Sequence, residues 1–242
     1  MLLGFGSDVG RVRETNEDSL FCGESLFVVA DGMGGYAAGE VASQLAVQTV
    51  KGWRFPSGHL PVRAAVQELE RSVHAANQAV YDRALHDPAT RGMGTTLTAA
   101  LIVGGGAVIA HVGDSRAYLV KGGEIEQVTQ DHSVVGELVR SGGITRREAE
   151  RHPYRNMLTR ALGTSRHVDV DIVRVPIAAG EGLLLCTDGL TTVLRDEEIA
   201  AIIARHVRPE AAVDELIAAT NARGGPDNVS LILLYPGDRH GE

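Results

Sequence analysis

Aspartates at the ends of short apolar runs are the residues of this chain best suited to chemistry. Asp31 lies in FVVADGMGG, Asp114 in IAHVGDSR, Asp188 in LLLCTDGL and Asp227 in GGPDNVSLILL. A strand holds its terminal residue better than a loop does, and a following glycine lets the chain turn and brings a carbonyl close. Carboxylate and carbonyl oxygens held that way suit a hard divalent cation, Mg²⁺ or Mn²⁺, rather than zinc. Cys22 and Cys186 have no neighbouring Cys or His pair at zinc spacing. Asp-Gly after an apolar run is also a common hairpin signal, so Asp31 or Asp188 alone reads better as a turn. With Asp114, Asp227 and the Glu17-Asp18 pair added, the recurring pattern favours a cation site.

The elements that must hold these aspartates are mostly strands. Apolar runs at Leu2–Phe5, Leu26–Ala30, Thr96–Val103, Ala107–Val112, Ala117–Val120, Ile172–Val175, Gly182–Cys186 and Val229–Tyr235 are bounded by Gly, Asp or Pro. Gly104-Gly105-Gly106 and Gly122-Gly123 mark hairpins, which predicts an antiparallel meander through 96–128. Helical spacing appears over Gly39–Trp53, Pro61–Leu85, Asp196–His206 and Pro209–Asn221, with Pro61 and Pro209 suited to first turns. Val41, Leu45, Ala46 and Val50 should share one face of the first of these. Grouped strands with helix pairs imply α+β layers rather than an alternating βαβ fold.

Composition narrows the function. At 242 residues with 44% hydrophobic content, the chain can bury a core as one domain over 1–242. A net charge of −8 argues against a nucleic-acid binder. Its cysteines are expected to be buried free thiols in a reducing compartment. No apolar run is long enough for a membrane span, and the N-terminus does not read as a signal peptide. A soluble, cytoplasmic protein follows. Nothing resembles a coiled coil or an interface helix, so a monomer is expected.

The motifs form an ordered set: SDVGRVRETNEDS (Ser7–Ser19), VVADGMGG (Val28–Gly35), GMGTT (Gly92–Thr96), HVGDSRAY (His111–Tyr118), TQDHS (Thr129–Ser133), LTRALG (Leu158–Gly163), LLLCTDGL (Leu183–Leu190) and GGPDNVS (Gly224–Ser230). This set spans nearly the whole chain and resembles the PPM (PP2C-like) metal-dependent protein phosphatases, particularly the compact bacterial Ser/Thr type. The resemblance implies a four-layer α-β-β-α sandwich with two central antiparallel sheets and a metal centre at one end. It implies hydrolysis of phosphoserine and phosphothreonine in proteins by a metal-activated water. Asp31 would bridge two Mn²⁺ or Mg²⁺ ions, Gly32 would offer its carbonyl to one, and Asp188 and Asp227 would complete the other. Asp114 matches the aspartate that helps hold a third ion. Glu17 and Asp18 would act through metal-bound waters, and Arg13 would grip the substrate phosphate.

The chemistry suits those groups independently. Phosphate monoesters repel nucleophiles and hydrolyse very slowly uncatalysed, and paired cations relieve both obstacles. A guanidinium can clamp two phosphate oxygens, which a lysine cannot copy. Taken without the motif, Arg13 reads as a surface ion pair with Glu14 or Glu17.

The resemblance has a gap here: animal-type members carry, where this chain has Met33, a histidine proposed as general acid, and many bacterial members have Met there but a histidine where this chain has Tyr36. With neither imidazole present, a water tied to the Asp114 site is expected to protonate the leaving group. Tyr36 could orient that water, although an unperturbed pKa of about 10 makes it a poor donor. His111, inside an apolar run, reads as a hydrogen-bonded core residue, and His132 as structural. Ser115 and Ser133 lack a triad arrangement.

Residues 131–165 are polar, Arg-rich and helix-prone, without a continuous apolar face. They correspond to the family's flap beside the catalytic centre. Arg140, Arg146, Arg147, Arg151, Arg155 and Arg160 could meet an acidic or phosphorylated partner, or form a solvated face with Glu137, Glu148 and Glu150. Within the flap, Arg155 and Arg160 are the candidates for contacting substrate. The expected partners are phosphorylated proteins, a Ser/Thr kinase and its targets, with no nucleic acid and no membrane. Competing readings are an inactive regulatory binding module, a metal-dependent nuclease or phosphodiesterase, and a phosphatase dedicated to one small regulatory phosphoprotein.

Overall fold

A computed structural model of the chain describes residues 1–34, 38–55 and 60–237; Tyr36 lies outside the described residues. Two antiparallel sheets face each other. The first has the order β1 (Leu2–Asp8), β11 (Val229–Tyr235), β10 (Gly182–Cys186), β7 (Arg116–Lys121) and β8 (Glu124–Gln127). The second runs β2 (Asp18–Cys22), β3 (Leu26–Met33), β5 (Leu97–Val103), β6 (Gly106–Val112) and β9 (Asp171–Pro176), with β4 (Gly94–Thr95) paired to the end of β3.

Helices α1 (Ala38–Lys51) and α2 (Val62–His86) cover the second sheet, and α6 (Asp196–Arg205) and α7 (Pro209–Ala222) cover the first. The result is the α-β-β-α sandwich implied by the motif set. It explains why the central strands read as unbroken apolar runs. β6, β10 and β11 are buried at every position because one face meets the opposite sheet and the other meets helices. Phe27, Val29, Ile109, Leu183, Leu185 and Ile232 fill the space between the sheets.

Several expectations need correction. The stretch 96–128 is not one meander: β5 pairs with β6 and β7 with β8, but β6 and β7 belong to different sheets. The glycine signals specify the hairpins at Gly104-Gly105 and Gly122-Gly123, all at positive φ, yet nothing local says which sheet each hairpin joins. The crossing falls at 113–115 and carries Asp114. The buried face of α1 is also rotated from the expected one. Ala42, Ala46, Val47 and Val50 lie inside, whereas Val41 and Leu45 are only partly buried. Small side chains let the helix approach the sheet closely.

Strands β2 and β8 were not legible as apolar runs. Both are edge strands, and β8 (EIEQ) alternates exposed and half-buried positions. The flap is less helical than its composition predicts. It holds only α3 (Val134–Arg140) and α4 (Arg146–Ala149), neither with a buried residue, joined by turns and rooted by bridges Ser133–Leu158 and Thr95–Leu162. Without an apolar face, tertiary packing adds little to helix propensity. Cys22 is partly exposed rather than buried, and both cysteines are free. No helix among the described residues is long and apolar enough to cross a membrane.

Candidate metal and phosphate site

One end of the sandwich gathers the aspartates. In the register of β2 and β3, Asp18 stands opposite Asp31. The Asp31 backbone is locked on both sides, since its N–H donates to Thr96 Oγ1 at 2.9 Å and its carbonyl accepts from Thr95 Oγ1 at 2.9 Å. Asp188 opens α5 (Asp188–Thr191), one residue, Thr187, after β10, and Asp227 precedes β11. Asp31, Asp114, Asp188 and Asp227 each keep partial exposure, whereas Asp18 is buried.

Neither Asp-Gly step is a hairpin. Gly32 continues β3, and a Cβ there would lie 2.0 Å from the Gly39 carbonyl oxygen and 2.5 Å from that of Glu17. Gly189 lies in α5, and its Cβ would lie 1.9 Å from the Asn228 carbonyl oxygen. Close backbone approach, not turning, requires glycine at both positions. This settles the ambiguity of the sequence against a turn.

The electrostatics are those of crowded carboxyls. Burial, then the charges of Asp18, Asp188, Asp114 and Asp227, pushes the Asp31 pKa well above the usual carboxylate range. Burial raises Asp18 to about 7 against hydrogen bonds from Ser230 and Thr187, and raises Asp114 to about 8 with Asp188 adding to it. Asp188 is raised by burial and by Asp227, while its contact with the Asp31 carboxyl lowers it. Thr187 Oγ1 donates to Asp18 Oδ2 at 2.9 Å, but Asp18 Oδ1 is buried without a partner. Opposed acids with an unpartnered buried oxygen are a donor set that suits a hard cation. Even so, among the described residues no three His, Cys, Asp or Glu side chains are grouped, as they stand, so as to hold a metal ion.

Asp227 shows one reason. Its Oδ2 accepts from Arg13 Nη2 at 2.9 Å and its Oδ1 from the Asn228 N–H at 2.9 Å. Arg13 therefore pairs with Asp227, not with Glu14 or Glu17 as the bare sequence suggested. Its side chain remains 51% exposed, so the guanidinium lies within reach of solvent and of a ligand. Glu17 lies nearby, its pKa raised by burial against the opposing charge of Arg13.

Both histidines are engaged. His111 is fully buried, with Nδ1 2.9 Å from Thr98 Oγ1 and Nε2 3.1 Å from the Gln130 carbonyl oxygen. Burial, then neighbouring His132, lowers its pKa to about 4. His132 accepts the Gly113 N–H at Nδ1 (3.0 Å) and meets Asp171 at Nε2 (3.1 Å), which places it at the flap root. Ser115 is buried against Thr96 Oγ1 at 2.8 Å, and Ser133 caps α3 through the Gly136 N–H. Neither serine is poised as a nucleophile.

Several flap arginines are engaged within the chain. Arg160 binds Asp171 at 2.8 Å, Arg140 binds Gln130 at 3.0 Å and Arg146 lies 3.9 Å from Asp196. Arg160 thus braces the flap root instead of facing outward. Arg155 is exposed, with the exposed Tyr154 and Met157 beside it.

Sequence reasoning missed three supports. Arg116 grips Asp131 through bonds of 2.7–3.1 Å beside Asp114. Thr187 holds Asp18, and Asn228 ties the Arg13 loop. Each lies in or beside a quoted motif, but pairing across the fold leaves no trace in local spacing.

Residues 9–224 match the protein phosphatase 2C family model. The chain is 38% identical over 236 residues to the serine/threonine phosphatase stp of Listeria innocua, covering 95% of this chain and 94% of that one. It superposes on the crystal structure of the Mycobacterium tuberculosis serine/threonine phosphatase PstP/Ppp with a TM-score of 0.87 at 39% identity, over 96% and 98% of the two chains. A crystal structure of the catalytic domain of PstP, which holds 2 manganese ions, gives a TM-score of 0.85 at 38% identity over 96% and 97%.

Proposed function

Because the chain belongs to the protein phosphatase 2C family, we propose that it hydrolyses phosphoserine and phosphothreonine esters in other proteins. The observation that carries this reading is the Arg13 guanidinium set 2.9 Å from Asp227 at the rim of the aspartate cluster. A phosphate monoester needs a bidentate cationic grip at the place where its reacting centre meets metal ligands. Arg13 meets the first need and the carboxyls the second.

Asp31, Asp188 and Asp227 would hold two Mn²⁺ or Mg²⁺ ions with the Gly32 carbonyl, and Asp114 a third. When bound, such ions activate water and neutralise phosphoryl oxygens. Glu17 and Asp18 orient that site from behind. Arg13 binds and orients the phosphate. His111 and His132 are both buried and hydrogen-bonded, so neither stands ready to protonate the leaving alkoxide, in keeping with the lack of histidine at 33 and 36. The leaving-group proton is assigned to the Asp114 side of the site.

Residues 1–242 act as one catalytic domain in this reading, with the flap shaping substrate choice. Its substrates are proteins phosphorylated by a Ser/Thr kinase. The test is chelator-stripped protein assayed on a phosphothreonine peptide and p-nitrophenyl phosphate, with Mn²⁺, Mg²⁺ or Zn²⁺ added back and Asp188→Asn alongside. Activity restored by Mn²⁺ or Mg²⁺ and lost in the variant supports the reading. Folded, metal-bound protein that hydrolyses neither substrate moves it to a regulatory binding module.

A further inference from the structure

Asn228 follows Asp227 and is 5% exposed. Its amide makes three hydrogen bonds, all to the backbone of one segment. Nδ2 donates to the Val9 carbonyl at 2.9 Å and the Thr15 carbonyl at 3.0 Å, and Oδ1 accepts the Glu17 N–H at 2.8 Å. Arg13 lies between Val9 and Thr15, so the stretch that carries it is pinned on both sides by a single side chain. Only an amide of this length offers two donors and an acceptor together; an aspartate lacks the donors and a leucine lacks both.

The tie continues beyond the loop. The Glu17 carbonyl accepts the Gly32 N–H at 3.1 Å and the Ser43 hydroxyl at 2.6 Å. The Arg13 segment is therefore set against both candidate metal-holding stretches, 31–32 and 227. Arg13 itself is half exposed and pairs with Asp227, the residue next to the clasp. A long exposed side chain contributes to binding only when its backbone root is fixed, because otherwise ordering it opposes the contact.

We propose that Asn228 is the positioning residue for the phosphate arginine: it holds the Arg13 loop against Asp227 without touching substrate. This rests on the phosphatase reading above. The test compares Asn228→Ala, Arg13→Ala and the double variant with the unsubstituted protein. Three quantities are read: kcat and KM on a phosphothreonine peptide, the Kd of inorganic phosphate by calorimetry with Mn²⁺ present, and Mn²⁺ affinity by electron paramagnetic resonance.

Asn228→Ala is expected to raise KM and phosphate Kd about tenfold, with Mn²⁺ affinity changed less than about twofold. In the Arg13→Ala background it should add nothing, since a residue acting through Arg13 has no lever once Arg13 is gone. Equal effects with and without Arg13, or an unchanged phosphate Kd in Asn228→Ala, would overturn the proposal. Should Asn228→Ala not fold, Asn228→Ser and hydrogen exchange at the Glu17 amide replace it. Faster exchange with unaltered phosphate Kd counts against the clasp, and faster exchange with weakened phosphate supports it. Absence of turnover in the unsubstituted protein would fall on the phosphatase reading alone, while the phosphate titration still decides Asn228.

Discussion

Asp18 and Asp31 face each other across the β2–β3 pair, where like charges oppose folding unless something positive lies between or beside them. The unpartnered Oδ1 of Asp18 sharpens the point, because a buried acceptor without a donor is costly. The arrangement makes sense as one that gives up stability of the bare protein for affinity toward a cation.

Asp31→Asn should therefore stabilise the chelator-stripped protein, by about 1 kcal/mol or more, while abolishing the gain that Mn²⁺ gives the unsubstituted protein. Urea or thermal unfolding with and without Mn²⁺ measures both. A variant less stable than the parent in chelator would mean that the opposed acids are not in conflict.

Arg13 offers a separation of stability from activity. Its pair with Asp227 is half exposed, so Arg13→Ala should change folding stability by less than about 1 kcal/mol. Loss of the grip on a developing phosphoryl charge should lower kcat/KM by roughly a hundredfold. Arg13→Lys should recover little of it, since an ammonium cannot match two oxygens at once. Full rescue by lysine would argue for simple charge attraction.

Asp114 occupies the crossing between the sheets, beside the Arg116–Asp131 clamp. If its side of the site supplies the leaving-group proton, Asp114→Asn should harm a phosphothreonine peptide far more than p-nitrophenyl phosphate. An aryl leaving group needs little protonation, an alkoxide much. Equal losses on the two substrates would rule this role out.

His111 makes a pH prediction about stability. Its folded pKa of about 4 lies below its unfolded value, so the native state binds fewer protons between the two. Its contribution is intact above about pH 6.5 and is lost as pH falls toward 4, by roughly 3 kcal/mol in all. Comparing acid unfolding of the protein with that of His111→Asn isolates the effect from the aspartates. Histidine ring resonances should show His111 still neutral at pH 5.

How much could be read from the chain alone depends on the range of each interaction. Strand runs, the helix start at Pro209, and the hairpins at Gly104-Gly105 and Gly122-Gly123 are written in neighbouring residues, and the structure contains them; Pro61 instead caps α2, one residue before its first turn. β2 (DSLFC) and β8 (EIEQ) do not stand out as apolar runs because polar and charged residues interrupt them, unlike the doubly buried β10 and β11; only the Gly122-Gly123 hairpin signal points to β8. Rotation of the α1 face escaped notice too, because alanines weigh little in a hydrophobic pattern yet permit the closest packing.

By itself the sequence determined the layered α+β class, the aspartates and arginine suited to phosphate chemistry, and the family resemblance. All are carried by short motifs whose residues are near neighbours. Only the tertiary structure decided that β6 and β7 part to different sheets, that Asp18 opposes Asp31, and that Arg13 pairs with Asp227. It alone decided that Asn228 clasps a loop more than 200 positions away. The Arg13 and Asn228 contacts join residues from opposite ends of the chain and exist only after the two sheets have stacked, while strand register sets Asp18 against Asp31 and sheet choice parts β6 from β7, and no local propensity encodes any of these.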